Sequence, residues 1–111
     1  MSADDKLYER FGREFPAGHV LFREGDAGRE MFVVQSGKVR ISKQVRDVEK
    51  TLVVLGPGEF FGEMSILHNN PRSATATVDD PAKLLVIDPK TFEAMVRGNA
   101  EIAVRMIKKL A

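Results

Sequence analysis

Short apolar segments separated by turn residues run through most of the chain. Between residues 14 and 88, segments rich in Val, Ile, Leu, Phe and Thr recur roughly every eight to twelve positions, with Gly, Pro, Asn and Asp between them. This spacing is typical of all-β sandwiches and barrels, whereas amphipathic helices repeat their apolar residues every three or four positions. The pattern therefore predicts a mainly β domain with helices at its ends.

The alternation of apolar and polar positions predicts at least six strands. A turn cluster at residues 25–28 separates the first two, and Ser36-Gly37 is expected to join the second and third as a hairpin. The polar stretch 46–50 turns the chain into a run that is apolar enough to be buried on both faces. Residues 79–81 form the last connection. The expected strands span residues 19–23, 30–35, 38–45, 51–55, 74–78 and 83–87.

Helical patterns lie at both ends of the chain. Asp88-Pro89 is typical of a helix start, and Gly98 is typical of a helix end. Asn99 can cap a second helix, and residues 4–11 can form a short helix at the other end. The apolar stripe of the second C-terminal helix must pack on the β domain, on a continuation of the chain or on a second copy. Its members are Ala103, Met106, Ile107 and Leu110.

Composition narrows the class of protein. The 111 residues are 43% hydrophobic and 30% charged, so we expect one globular domain over residues 1–111. The 17 basic and 16 acidic residues leave a net charge of +1, which argues against a direct nucleic-acid interface. No apolar run approaches the ~20 residues of a membrane helix, and neither a basic signal sequence nor a cysteine is present. We therefore expect a cytoplasmic protein that does not insert into a membrane.

The sequence offers little for catalysis or for metal binding. His19 and His68 are the only histidines, and they lie far apart without a ligand spacing such as His-x-His. No nucleophile elbow, Walker sequence or dinucleotide fingerprint appears. A cupin-like metal enzyme is thus a distant alternative, and neither a metal nor a catalytic residue is expected.

Residues 60–74 combine features that suit a small anionic ligand. Glu63 and the residues after it can form about one helical turn behind Gly62, which leaves the first backbone N–H groups without intrahelical partners. Arg72 supplies a fork of donors suited to a phosphate. Glu63, an acceptor when ionised, suits a sugar hydroxyl instead. An ion pair between Glu63 and Arg72 is the alternative interpretation.

These residues carry a family resemblance. Residues 61–65 (Phe-Gly-Glu-Met-Ser) and 71–74 (Pro-Arg-Ser-Ala) closely resemble the phosphate-binding cassette of the cyclic nucleotide-binding domain superfamily. That superfamily includes catabolite activator proteins and regulatory subunits of protein kinase A. The similarity extends to residues 16–26 and 35–39, so it takes in nearly the whole chain.

The resemblance implies an antiparallel, jelly-roll-like double-Greek-key β-roll with short N- and C-terminal helices. It also implies a sensor domain that binds cAMP or cGMP, with no other cofactor and no enzymatic activity. Glu63 would bind the ribose 2′-hydroxyl, and Arg72 would bind the cyclic phosphate. The residues expected to line the ligand are Gly62, Glu63, Met64, Ser65, Arg72, Ser73 and Ala74.

The C-terminus departs from the family pattern. Family members continue into a longer helix that caps the base, whereas this chain ends at Ala111, so we expect the capping helix to be truncated or absent. Ligand binding is expected to move the C-terminal helices, through which an effector domain or protein would be contacted. A homodimer is left open. The alternative to a sensor is a structural or interaction module whose β-roll has an empty or self-occupied pocket.

Overall fold

Six strands, β1 to β6, and two helices, α1 and α2, make up most of the described chain. The computed structural model describes residues 9–98, of which residues 9–11 are helical. All strand pairs between these elements are antiparallel. The expected antiparallel β-roll is thereby confirmed. In chain order the elements are β1 (Gly12–Phe15), β2 (Val20–Phe22), β3 (Met31–Val45), β4 (Val48–Leu55), β5 (Phe60–Phe61), α1 (Glu63–His68), β6 (Thr75–Ile87) and α2 (Pro89–Gly98).

Two long bent strands form the centre of the roll. β3 and β6 pair with each other over most of their length, β1 and β2 pair with β6, and β4 and β5 pair with β3. The hairpin expected at Ser36-Gly37 and the connection expected at residues 79–81 are wrong, because both segments lie inside continuous strands. The register between the strands shifts on either side of Ser36 and again at Lys38. The turn-forming residues therefore produce bulges that bend the strands instead of ending them.

The true hairpin lies further along the chain. Arg46 and Asp47 form its tip with φ angles of 54° and 66°, as a two-residue turn with positive φ at both central positions requires. The expected turn over residues 46–50 is thus too long, since β4 begins at Val48. The short strands β1 and β5 pair with the sheet although the sequence pattern predicted neither of them.

The expectation that residues 51–55 are buried on both faces is wrong. Leu52, Val53 and Val54 are exposed, and only Leu55 is buried. Among the described strands, β4 pairs with β3 alone and lies at the end of the sheet. An apolar run has the same sequence signature in a central strand and in a projecting edge strand, which is why the pattern misled.

Two clusters of apolar side chains form the core of the described residues. Burying one such side chain contributes about 1.5–3 kcal/mol. The larger cluster consists of Phe32, Val34, Val39, Leu55, Phe61, Ala76, Val78, Ala82 and Leu84, with Phe15, Leu21, Phe22, Ile41 and Val86 packed against it. The smaller one consists of Met31, Phe60, Leu85 and Ile87, with Phe11, Val33, Ile66, Phe92 and Met95 packed against it.

The start of α2 follows the sequence prediction. The Thr91 backbone N–H donates a 2.7 Å hydrogen bond to Asp88 Oδ1, and this bond lowers the pKa of the Asp88 carboxyl. The helix runs to Gly98 as expected. The helix predicted after Asn99 and most of the one predicted over residues 4–11 lie outside the described residues. Within residues 9–98, neither helix has the length and apolar character needed to span a bilayer.

Candidate functional site

The segment predicted to carry the function begins at the end of β5. Gly62 follows this strand with φ of 82°, a left-handed conformation that favours glycine, and it precedes the short helix α1. The one helical turn expected at Glu63 is confirmed. Glu63 itself is only 8% exposed, so the first residue of α1 presents a carboxylate to a buried environment.

Arg72 is buried beside this turn. The residue is 5% exposed. Its Nη1 donates to the Gly62 carbonyl oxygen at 3.3 Å and its Nη2 donates to the Glu30 carbonyl oxygen at 2.7 Å. These bonds bring Arg72 to the residue that immediately precedes Glu63. The predicted arginine and the predicted glycine-glutamate pair thus lie together, although 10 positions separate Gly62 from Arg72 in sequence.

The β2–β3 loop, residues 23–30, encloses Arg72 from the other side. Gly25 N–H donates to the Arg72 carbonyl oxygen at 2.7 Å, and Arg72 N–H donates to the Asp26 carbonyl oxygen at 2.9 Å. Since Glu30 also supplies a carbonyl to the guanidinium, the loop holds both the main chain and the side chain of Arg72. Arg72 is therefore fixed by backbone groups from two distant segments.

The guanidinium also lies over an aromatic ring. Arg72 Cζ lies 4.2 Å from the centroid of the Phe22 ring, at the end of β2. That ring belongs to an aromatic group in the core, 5.9 Å from the Phe32 ring and 6.1 Å from the Phe61 ring between centroids. A cation over the face of an aromatic ring is attracted by the ring's quadrupole.

Arg72 is a buried cation that still has a hydrogen-bond donor to offer. Burial lowers the pKa of Arg72, and the negative charges of Glu30 and Asp26 offset part of this effect. The guanidinium still remains charged at neutral pH. Its buried Nε has no hydrogen-bond partner among the described residues. Burying an unpaired donor costs free energy, so an anion that accepted this N–H would stabilise the arrangement.

The other predicted site residues differ in exposure. Met64 is 44% exposed, Ser73 is exposed and Ala74 is buried. Ser65 is buried, its hydroxyl donates to the Asn70 carbonyl oxygen at 3.2 Å, and its backbone N–H donates to the Gly62 carbonyl oxygen at 3.3 Å. Ser65 therefore closes the loop after α1 through its own hydrogen bonds.

Sequence reasoning missed the residues that hold Arg72. The sequence pattern places Phe22 in the first predicted strand and Gly28 in the turn cluster. Glu30 is expected at the start of the second strand. The weak signal available was the turn cluster at residues 25–28, which requires the chain to fold back after the first predicted strand. Nothing in it indicates that Arg72 is the residue enclosed, because that depends on the pairing of β2 with β6.

A shared apolar cluster connects the site to the C-terminal helix. Ile66 of α1 packs against the smaller core cluster, and so do Phe92 and Met95 of α2. The helix that begins at Glu63 and the helix that follows β6 therefore rest on the same buried side chains. A displacement of one would disturb the packing of the other.

Comparisons of sequence point to one family. The sequence profile described as cyclic nucleotide-binding domain matches residues 12–99. The cyclic AMP receptor protein of Thermus thermophilus is 38% identical over 100 residues, which cover 89% of this chain and 46% of that protein. The chain thus spans less than half the length of this relative.

Solved structures give the same result. The crystal structure of the catabolite activator protein of Thermus thermophilus matches with a TM-score of 0.84 and 34% identity, covering 99% of this chain and 54% of that one. The regulatory domain of Toxoplasma gondii protein kinase A, crystallised with cAMP, matches with a TM-score of 0.71 and 36% identity. That match covers 84% of this chain and 38% of the other. The likeness therefore extends from sequence to fold.

Proposed function

The chain belongs to the cyclic nucleotide-binding domain family, and we propose that it binds cAMP or cGMP as a sensor domain without chemistry of its own. The observation that carries this proposal is the buried Arg72 next to the turn at Gly62, whose Nε finds no partner within residues 9–98. Its unused N–H groups can take a singly charged cyclic phosphate without breaking either carbonyl bond.

Glu63 has the complementary role in this proposal. Its carboxylate accepts the hydrogen bond that a ribose 2′-hydroxyl donates, while its negative charge keeps the phosphate on the Arg72 side. The backbone of residues 62–65, together with Ser73 and Ala74, forms the rest of the cradle. Gly62, which immediately precedes Glu63, lies next to the guanidinium. This supports the arrangement, because the phosphate and the ribose hydroxyl of one cyclic nucleotide are also close together.

Of the two nucleotides, cAMP is the first to test. One relative is described as a cyclic AMP receptor protein, and one similar structure contains cAMP. In this proposal the described residues around Arg72 would contact the phosphate and the sugar rather than the base, so they give no ground for preferring adenine or guanine. Both ligands therefore belong in the same experiment.

The proposed output is a change in the C-terminal helices. Phosphate binding would draw the turn at Gly62 and α1 toward Arg72, and Ile66 would move with α1. Because Phe92 and Met95 of α2 pack on the same cluster as Ile66, α2 would have to repack. An effector domain or partner protein that contacts the C-terminal helices would sense this change.

Calorimetric titration of the wild type and Arg72→Ala with cAMP and cGMP tests the proposal. A hydrogen bond to a charged group contributes about 1.5–3 kcal/mol, so we expect Arg72→Ala to weaken binding at least about tenfold. Arg29→Ala is the matched control, since Arg29 is an exposed arginine of the β2–β3 loop, which contacts Arg72. Circular dichroism establishes that each variant is folded. Equal affinities of the wild type and Arg72→Ala would remove Arg72 from the site.

A further inference from the structure

Only some of the N–H donors of Arg72 are used by the protein. A guanidinium has five N–H groups. Nη1 and Nη2 are each held by a backbone carbonyl, whereas the buried Nε has no partner in the part of the chain that the structure describes. The carbonyl bonds fix the two outer nitrogens, but hydrogen bonds to single carbonyls leave the plane of the group free to tilt. Something else must set the direction in which the Nε–H group points.

Phe22 supplies a face for the guanidinium plane. The ring lies 4.2 Å from Arg72 Cζ, a distance at which a cation and an aromatic face attract each other, most strongly when the pair is desolvated. Phe22 is itself held by the Phe32 and Phe61 rings. The stacking surface is therefore rigid, and it belongs to the core rather than to a loop.

Gly28 leaves the space that the guanidinium occupies. A Cβ atom at this position would lie 2.9 Å from both Arg72 Nε and Nη2. Unlike several other glycines in the chain, Gly28 has no positive φ, so its backbone conformation suits any residue. The three nearest atoms that a Cβ at position 28 would meet thus all belong to the Arg72 guanidinium.

We propose that Phe22 and Gly28 are positioning residues for phosphate recognition, which act by fixing the plane and the place of the Arg72 guanidinium. This inference rests on the proposed function, because it assigns supporting roles at the same site. Phe22 holds the guanidinium from its face, and Gly28 permits it to sit against the β2–β3 loop. Together they direct Nε–H toward the phosphate before the nucleotide arrives, which reduces the cost of ordering on binding.

Two substitutions with matched controls test the inference by calorimetric titration with cAMP and cGMP. Phe22→Leu keeps an apolar side chain but removes the aromatic face, and the loss of about 0.5–2 kcal/mol predicts binding about 2- to 30-fold weaker. Phe15→Leu is its control, because Phe15 also packs against the larger core cluster. Gly28→Ala is expected to weaken binding to a similar extent by displacing the guanidinium. Gly56→Ala is its control, since a Cβ there meets no described atom within 4 Å.

A double-mutant cycle separates positioning from general destabilisation. If Phe22 acts through Arg72, Phe22→Leu should change the affinity by less than about twofold once Arg72 is alanine, because the group that it positions is gone. A purely structural role would give the same penalty in both backgrounds, and that result would overturn the inference. Should Phe22→Leu fail to fold, the Gly28→Ala and Gly56→Ala pair still decides the question.

The outcomes distinguish this inference from the proposed function. Wild-type protein that binds neither cAMP nor cGMP contradicts the proposed function and, with it, the roles of Phe22 and Gly28. Wild-type protein that binds a cyclic nucleotide, with Phe22→Leu and Gly28→Ala binding equally well, contradicts the inference alone. Selective weakening in these two variants, with Phe15→Leu and Gly56→Ala unchanged, supports both.

Discussion

At the scale of single residues, Glu63 makes the most specific prediction about the ligand. Its carboxylate is buried at the first position of α1, beside the glycine whose carbonyl holds Arg72. If it accepts the ribose hydroxyl, wild-type protein should prefer cAMP over 2′-deoxy-cAMP by about tenfold or more. In Glu63→Ala the two ligands should bind alike, because the acceptor is missing. Competition binding against a fluorescent cyclic nucleotide measures both ratios.

The neighbouring residue provides the control for this measurement. Met64 is 44% exposed and contributes only its backbone to the proposed cradle, so Met64→Ala should retain the preference for the 2′-hydroxyl. A Glu63→Ala protein that still discriminated between the two ligands would show that another group contacts the sugar. The test compares two ligands on one protein, so a general loss of stability affects both affinities and leaves their ratio unchanged.

Only some residues of the candidate site could be predicted from the sequence. Glu63 and Arg72 could be singled out because their charges, spacing and flanking glycine match a known cassette. Phe22 and Gly28 could not, because an aromatic residue in a strand and a glycine in a turn have ordinary structural explanations. Their relation to Arg72 arises only when β2 pairs with β6 and the β2–β3 loop folds over residue 72. The charged residues of the site could thus be identified from local sequence, whereas the residues that orient Arg72 are brought to it by long-range contacts.

At the scale of elements, the bend in β3 depends on Gly37. This residue has φ of +87°, and a Cβ there would lie 2.4 Å from the Pro81 carbonyl oxygen of β6. Gly37→Ala therefore adds a steric clash between backbones to the cost of a left-handed residue. We expect a loss of about 2–4 kcal/mol in the free energy of unfolding, measured by urea denaturation.

Gly18→Ala separates the two contributions. Gly18 has the same φ of +87°, but a Cβ there meets no atom of residues 9–98 within 4 Å. Its substitution should cost only the conformational term, about 1–2 kcal/mol. If the two variants lost the same stability, close approach of β3 to β6 would not be what requires glycine at position 37.

The elements that could be predicted are those whose signals are local. The α2 helix follows from a capping aspartate, a proline and a terminal glycine, and its start lies where these residues place it. The same turn residues misled at Ser36-Gly37 and at residues 79–81, where pairing between β3 and β6 keeps both strands continuous. A glycine that bends a strand and a glycine that ends one look alike in sequence.

At the scale of the whole molecule, ligand binding and folding are linked. A nucleotide that binds only the folded domain stabilises it by about 2.7 kcal/mol at a concentration 100 times its Kd. For a domain of roughly 100 residues this corresponds to a rise in Tm on the order of 10 °C. We therefore expect cAMP, cGMP or both to raise the Tm of the wild type, measured by differential scanning fluorimetry. The noncyclic 5′-AMP, whose phosphate is differently placed and carries more charge, should raise it less.

The same measurement distinguishes a sensor from a structural module. The guanidinium of Arg72 is held by the protein's own carbonyl oxygens, an arrangement that a roll with a self-occupied pocket would also need. In that case neither cyclic nucleotide would change the Tm of the wild type or of Arg72→Ala. In a sensor, the rise in Tm should be large in the wild type and much smaller in Arg72→Ala, because the unpaired Nε–H is what a bound phosphate would satisfy.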